Sequence, residues 1–360
     1  GYIYLVAAIV GYFVISARSI KPRHAGIITA IFFLSGVSSI ISVIANKLGP
    51  GANFLMYFFG NVMPTEDFVA DRSFEPGVLR LMGFMPAATS VYCWLLARYG
   101  MTGVFDVSRP WRSAAFMGVV ALGCMGGYRA MLILMIMLAL VLVVIERMWH
   151  SRAFLILVVG LVITTTALIL GANKLPLSIQ RTISFLPVEI DPLARQAAEI
   201  STEWRVEMWK EVSKQIPSYL FLGKGYTLSS TDLYIVEESH ARGFTTNWEG
   251  AAIAGDYHSG PLSLIIPFGI WGVLAFGWLL YAGTRFLYKV YRDCPVELKV
   301  INRFLLALFL VRIVFFFLVF GAFYQELFEF TGILALSVAL NSDNWRVAAE
   351  NTNTFDDGPK

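Results

Sequence analysis

Charged residues are scarce in this chain of 360 residues, where Asp, Glu, Lys and Arg make up 15% against about 25% in a typical soluble domain. The deficit is matched by 57% apolar residues and a mean hydropathy of +0.66, with the apolar residues gathered in long runs nearly free of charge. A soluble enzyme and a disordered chain are both excluded. Three cysteines, Cys93, Cys124 and Cys294, are too few and too far apart for a disulfide framework or a metal site. Positive charge is also in short supply: the net charge is +3, and Lys and Arg are scattered rather than lined along one face, which gives nucleic acid nothing to bind. The polar segments lack zinc-ligand spacing, a Walker phosphate loop, a Ser-His-Asp arrangement and a dinucleotide glycine fingerprint. No metal or cofactor is expected from them.

What is present is a series of helices long enough for a bilayer. A helix needs roughly 20 mostly apolar residues to cross about 30 Å of hydrocarbon, and nine stretches approach this: 1–16, 25–45, 77–97, 113–127, 129–146, 153–171, 259–281, 304–320 and 325–341. The expected fold is therefore all-α, a polytopic transmembrane helix bundle. Four loops (17–24, 98–112, 146–152 and 282–303) carry thirteen Lys and Arg against four Asp and Glu. The loops 46–76 and 172–258 carry ten against fifteen. Cytoplasmic loops retain positive charge, so the basic loops are assigned to the cytoplasm and the acidic ones outside. The expected organisation is six helices over 1–171, a large extracytoplasmic loop over 172–258, three helices over 259–341, and a cytoplasmic polar tail over 342–360 expected to be disordered. The chain begins in the middle of an apolar run without an initiator methionine, and is expected to be a fragment.

The loop 172–258 is too long to be a mere connection. Its centre predicts a helix over 203–216, capped by Ser201 or Thr202 and ended by Pro217. Trp204, Met208, Val212 and Ile216 recur every fourth residue, an apolar stripe that either lies on the membrane surface or packs onto the bundle. Residues 223–226, Gly-Lys-Gly-Tyr, follow as a loop in which Gly223 and Gly225 let the backbone approach closely.

Several residues could carry chemistry. Arg129 follows Gly126-Gly127-Tyr128 at the start of an apolar helix, where a guanidinium is either an interface anchor or an anion ligand. Arg205 is expected in the first turn of the loop helix, an unfavourable place for a cation unless an anion is near. It either stacks on Trp209 or binds phosphate with its planar fork. Lys224, between two glycines, is an exposed cation that could meet a phosphate. Of four histidines, His24 and His150 fall in basic loops, leaving His240 and His258 outside. His258, beside Asp256 where the chain re-enters the membrane, is either a general base near neutral pH or an interfacial histidine without special role. Arg312, within an apolar run, either marks function or forms an intramembrane ion pair with Glu326 or Glu329.

In order, Gly126-Gly127-Tyr128-Arg129, a large external loop with Arg181, Arg205-Val206-Glu207-Met208-Trp209, Gly223-Lys224-Gly225, His258-Ser259 and Phe268-Gly269-Ile270-Trp271-Gly272 resemble the O-antigen ligase family, which includes polysaccharide polymerases. That family's pattern is Ser-x-Ser-Arg, Arg-x-x-x-Trp, Gly-x-Gly, His-Asn, then a helix with Glu-x-Gly-x-x-Gly. Here Gly127 and Tyr128 precede the arginine, Ser259 follows the histidine, and Pro267 stands where the glutamate is expected, leaving Asp256 or Glu249 as substitute carboxylates. The resemblance spans roughly 113–340. It implies about twelve helices with both termini cytoplasmic, of which nine would be present here.

The resemblance further implies a glycosyltransferase in the bacterial inner membrane with its site facing the periplasm. The donor would be a glycan on a polyprenyl diphosphate, and the acceptor a hydroxyl of a lipid A core, a protein or a growing polysaccharide. Arg129, Arg205, Arg181 and Lys224 would hold the diphosphate, His258 with Asp256 would deprotonate the acceptor, and Trp209, Gly223, Gly225 and Ser259 would support the loop. Neither nucleotide nor metal would be needed, and direct displacement would invert the anomeric centre. A transporter or flippase of lipid-linked sugars is the alternative, suggested by Arg312 and the Gly-interrupted helices.

Overall fold

A computed structural model of the protein describes residues 2–55, 83–226, 251–252 and 255–356. All its regular structure is helical, with no strand among the described residues. The α-helices are α1 (Tyr2–Ser16), α2 (Pro22–Leu34), α3 (Ile40–Leu48), α4 (Phe84–Val104), α5 (Pro110–Cys124), α6 (Arg129–Ile145), α7 (Arg152–Gly171), α8 (Leu177–Thr182), α9 (Pro192–Ser213), α10 (Ile216–Tyr219), α11 (Gly260–Asp293), α12 (Lys299–Leu318) and α13 (Phe323–Asp356). Among the described residues, five helical stretches are long and apolar enough to cross a membrane: Pro22–Ala45, Arg152–Lys174, Gly260–Asp293, Val296–Leu318 and Phe323–Ser342. Tyr2–Ser16 and Arg129–Ile145 are shorter apolar helices. The fold is a helical membrane bundle.

The chain divides into two compact units, Gly1–Gly26 with Thr202–Lys360, and Ile27–Ser201. In the second, α4 packs against α5, α6 and α7, and the buried Tyr92 hydroxyl donates 2.6 Å to the Met135 carbonyl. Gly100 breaks α4 at φ +65°. The Glu146 carboxylate accepts from the freed backbone N–H groups of Met101 and Thr102 at 3.0 and 2.8 Å, so the break leaves neither donor unmet.

In the first unit, α1 lies along α13, and α11, α12 and α13 pack together around Phe276, Phe309, Phe316 and Phe330, all buried. Two buried amides here are paired. Asn302 on α12 and Asn341 on α13 exchange two amide hydrogen bonds of 3.0 Å, and Asn341 also donates 2.8 Å to the Ser337 carbonyl. Both amides are about 1% exposed. Asn302→Ala, which strands the Asn341 amide, is expected to cost about 1–2 kcal/mol, while replacing both by leucine recovers much of that. Thermal unfolding in detergent checks both.

Two sequence expectations are corrected. The polar tail is not structureless from 342, because α13 continues in helical conformation to Asp356; Val347, Ala348, Ala349 and Glu350 include good helix formers, and no Gly or Pro intervenes before Gly358. The loop helix begins not at Ser201 or Thr202 but at Pro192. Asp191 Oδ1 accepts from the Leu193 N–H at 2.8 Å, and Pro192 occupies the first helical position, where its missing N–H costs nothing.

Candidate active site

The earlier start of α9 places Arg205 in the helix interior, so the penalty of a cation in the first turn does not apply to it. Its guanidinium carbon sits 5.5 Å from the centroid of the Trp204 ring, which corrects the expected stacking on Trp209. The Trp209 indole instead donates 2.7 Å to the carbonyl of Tyr257, tying α9 to the residue before His258. The stripe on α9 explains the attachment. Met208 and Val212 are fully buried with Tyr257, Leu262 and Ile266, and Trp204 and Ile216 pack against them, so the apolar face lies on α11.

His258 is held from three directions. Its backbone adopts φ +50°, a left-handed conformation that L-residues other than Gly, Asn, Asp and His rarely occupy and one found where structure constrains a functional side chain. Its ring lies edge-on to Trp204 at 5.2 Å and to Phe320 at 5.0 Å. Nδ1 is 3.1 Å from Asp256 Oδ1 and 3.2 Å from the Asp256 carbonyl oxygen. Both of these oxygens can only accept, so Nδ1 carries the proton and neutral His258 presents the Nε2 lone pair. Asp256 is held in turn, its N–H donating 2.8 Å to the Ala251 carbonyl. Side chains of His258 and Asp256 keep 20% and 21% exposure, so a substrate can reach them. A carboxylate that orients an imidazole in this way is the arrangement a general base requires. Ser259 starts α11 from an extended conformation, its carbonyl accepting from Ser263 at 2.9 Å.

The Gly-Lys-Gly loop has a backbone role. Pro267 and Gly269 interrupt α11, with Gly269 at φ +63°, and the exposed carbonyls need donors. The Lys224 N–H donates to Ile266 O at 2.8 Å and the Gly225 N–H to Pro267 O at 2.9 Å, while Ile270 N–H donates to Leu220 O at 2.6 Å. A Cβ on Gly223 would stand 2.2 Å from Pro267 O. Pro267, which stands where the resemblance led a glutamate to be expected, thus belongs to a break sealed by residues 220–225. The Lys224 ammonium lies 6.0 Å from the Tyr219 ring centroid.

Arg312 Nη1 is 3.0 Å from Glu326 Oε1 and Nη2 is 3.4 Å from Glu329 Oε2. These three groups share one unit with His258 but are not among its contacts.

Arg129 and Arg181 belong to the other unit, where they frame the glycine turn. Gly127 takes φ +76°, its carbonyl accepts from Arg181 Nη1 at 2.7 Å, and the Thr182 hydroxyl donates 2.9 Å to Cys124 O. Arg129, at the start of α6, donates through Nη2 to Ala198 O at 2.9 Å. Arg181 is 3% exposed, whereas Arg129 is half-buried.

Trp204 and Phe320, the walls of the His258 pocket, were not singled out by spacing as site residues; Trp204 was legible only as part of the stripe. His240 and Glu249 lie outside the described residues. Among the described residues no cluster of three His, Cys, Asp or Glu side chains could hold a metal ion.

Residues 113–277 match the family model described as O-antigen ligase. No curated protein and no solved structure matches the chain.

Proposed function

We propose, from the match of residues 113–277 to the O-antigen ligase family model, that the chain belongs to that family and is a glycosyltransferase that moves a glycan from a polyprenyl diphosphate to an acceptor hydroxyl at the outer face of a bacterial inner membrane. The observation that carries the reading is the His258–Asp256 pair, 3.1 Å apart, open to substrate, beside the Trp204 ring that Arg205 overlies.

In this reading Nε2 of His258 takes the proton from the acceptor hydroxyl as its oxygen attacks the anomeric carbon. The bond from that carbon to the diphosphate breaks, polyprenyl diphosphate leaves with the electron pair, and the configuration inverts. Asp256 keeps the proton on Nδ1 and stabilises the imidazolium that forms. Arg205 and Lys224 neutralise the diphosphate through charge-assisted hydrogen bonds, without nucleotide or metal. Arg181, buried and donating to Gly127 O, holds the turn that carries Arg129. The acceptor is a lipid A core, a protein or, in a polymerase, a growing polysaccharide.

The transporter reading has less support. A transport site uses unwound backbone in a broken helix, but the break in α11 already has its carbonyls bonded to Lys224 and Gly225, and the Arg312 guanidinium lies against two carboxylates.

Release of polyprenyl diphosphate from a labelled donor in the presence of acceptor tests the proposal. The parent is expected to release it with chelator present, and Arg205→Ala to do so about 10²–10³-fold more slowly, as when one preorganised donor is removed from a developing charge. Release at parental rate by Arg205→Ala removes the arginine from the donor site.

A further inference from the structure

Beside the His258–Asp256 pair the structure gathers tyrosines that the proposed chemistry does not use. Tyr226 closes the Gly-Lys-Gly loop, and its ring packs edge-on against Tyr2 of α1 at 5.3 Å and Phe268 of α11 at 5.6 Å. Gly255, at φ +75°, passes under that ring: a Cβ there would sit 3.0 Å from it. Tyr324, in the first turn of α13, hydrogen-bonds the Asp256 side chain. Tyr4 of α1 packs on Tyr324 at 5.3 Å.

The hydroxyls of this cluster are not satisfied by one another. The Tyr226 hydroxyl oxygen is buried and has no hydrogen-bond partner among the described residues, which costs about 1–3 kcal/mol unless something completes it. Burial, followed by Tyr324, Tyr257 and Tyr2, pushes this hydroxyl well above the usual tyrosine range, so it remains a donor. The Tyr324 hydroxyl donates to the Asp256 side chain and accepts a long 3.5 Å contact from Gln325, which leaves it room for a further partner.

A ligand that fits must offer hydroxyls able both to donate and to accept, on an apolar ring face that meets aromatic side chains. A sugar ring has these properties, whereas a phosphate has no donor for Asp256 and is repelled by it. We propose that Tyr226 and Tyr324, with Asp256, form the subsite that binds the acceptor's sugar ring and sets its hydroxyl against His258. The proposal rests on the transferase reading for the word acceptor, and on the unmet Tyr226 hydroxyl for the site itself.

The full chain in lipid nanodiscs, probed with methyl α-glucopyranoside and methyl β-galactopyranoside by saturation-transfer NMR, tests binding without catalysis. Saturation of ring protons is expected with at least one glycoside in the parent, falling about five- to tenfold in Tyr226→Phe and in Tyr324→Phe, the loss of one hydroxyl's hydrogen bond. Saturation absent from the parent, or equal in parent and both variants, overturns the subsite. In the transfer assay the same variants are expected to raise KM for the acceptor by a similar factor with KM for the donor unchanged. A rise in donor KM alone overturns the acceptor assignment. Sugar binding by a parent that transfers nothing instead overturns the transferase reading while the subsite stands.

Discussion

Replacing His258 by alanine is expected to slow glycan transfer by about 10²–10⁴-fold, the range that a positioned general base contributes. The expectation follows from one geometric fact: Nδ1 faces the Asp256 carboxylate and carbonyl, which leaves Nε2 as the basic atom. Alanine also removes the edge contacts to Trp204 and Phe320 and sits poorly at φ +50°. His258→Asn separates these effects, because asparagine tolerates the left-handed backbone but provides no base. It should retain the parent's melting temperature within a few degrees and still lose transfer. Asp256→Asn should lose less than His258→Asn, since the imidazole remains but its orientation and the stabilisation of its charged form are weakened. Initial rates at saturating donor, with melting curves on the same preparations, give both comparisons. Transfer by His258→Asn at the parental rate would falsify the assignment of the base.

Gly223→Ala is expected to be the most damaging change outside the chemistry. Its φ of +72° is unfavourable for alanine, and the new Cβ would meet the Pro267 carbonyl oxygen at 2.2 Å, where only backbone movement relieves the clash. That movement withdraws the Lys224 and Gly225 N–H groups from the Ile266 and Pro267 carbonyls. The backbone conformation alone costs on the order of 1–3 kcal/mol, and each stranded buried carbonyl about as much again. Gly225→Ala makes the instructive comparison. It also has a positive φ, +69°, but its Cβ would meet only the Tyr2 hydroxyl at 3.2 Å, the movable end of a side chain. Thermal unfolding in detergent should therefore place Gly223→Ala well below Gly225→Ala, and Gly225→Ala below the parent. Equal melting of both variants would mean that the seal on the α11 break does not depend on this close approach.

The helical membrane fold was legible because the bilayer imposes a length and a composition on each crossing, and 57% apolar residues in long runs leave few other ways to fold. Loop-helix packing was half legible. A repeat of four at Trp204, Met208, Val212 and Ile216 located the buried face, but whether a membrane or α11 covers it is a tertiary fact that periodicity does not contain. The start of α9 was missed for a local reason: Asp191-Pro192 is a strong start signal, but the polar residues after it hide the apolar repeat until Trp204. At the site, His258 and Asp256 were visible as neighbours in sequence, two residues apart. Phe320 comes from the connection after α12 and Tyr324 from the start of α13, and no spacing in the chain links them to His258. The Gly-Lys-Gly loop suggested an anion by its composition, and its backbone role depends on Pro267, more than forty residues away in sequence. Single-residue chemistry was thus readable, while the partners that give it direction were fixed only by packing.

Bond transfer from a lipid diphosphate can be followed by reconstitution. The protein is placed in liposomes with a purified polyprenyl-diphosphate-linked glycan and an acceptor, with chelator and without nucleotide, beside His258→Ala at matched protein content. The predicted result is a covalent glycan–acceptor product of inverted anomeric configuration, stoichiometric with released polyprenyl diphosphate, formed by the parent and lost in the variant. Movement of intact donor between leaflets with no product from the parent would contradict the account.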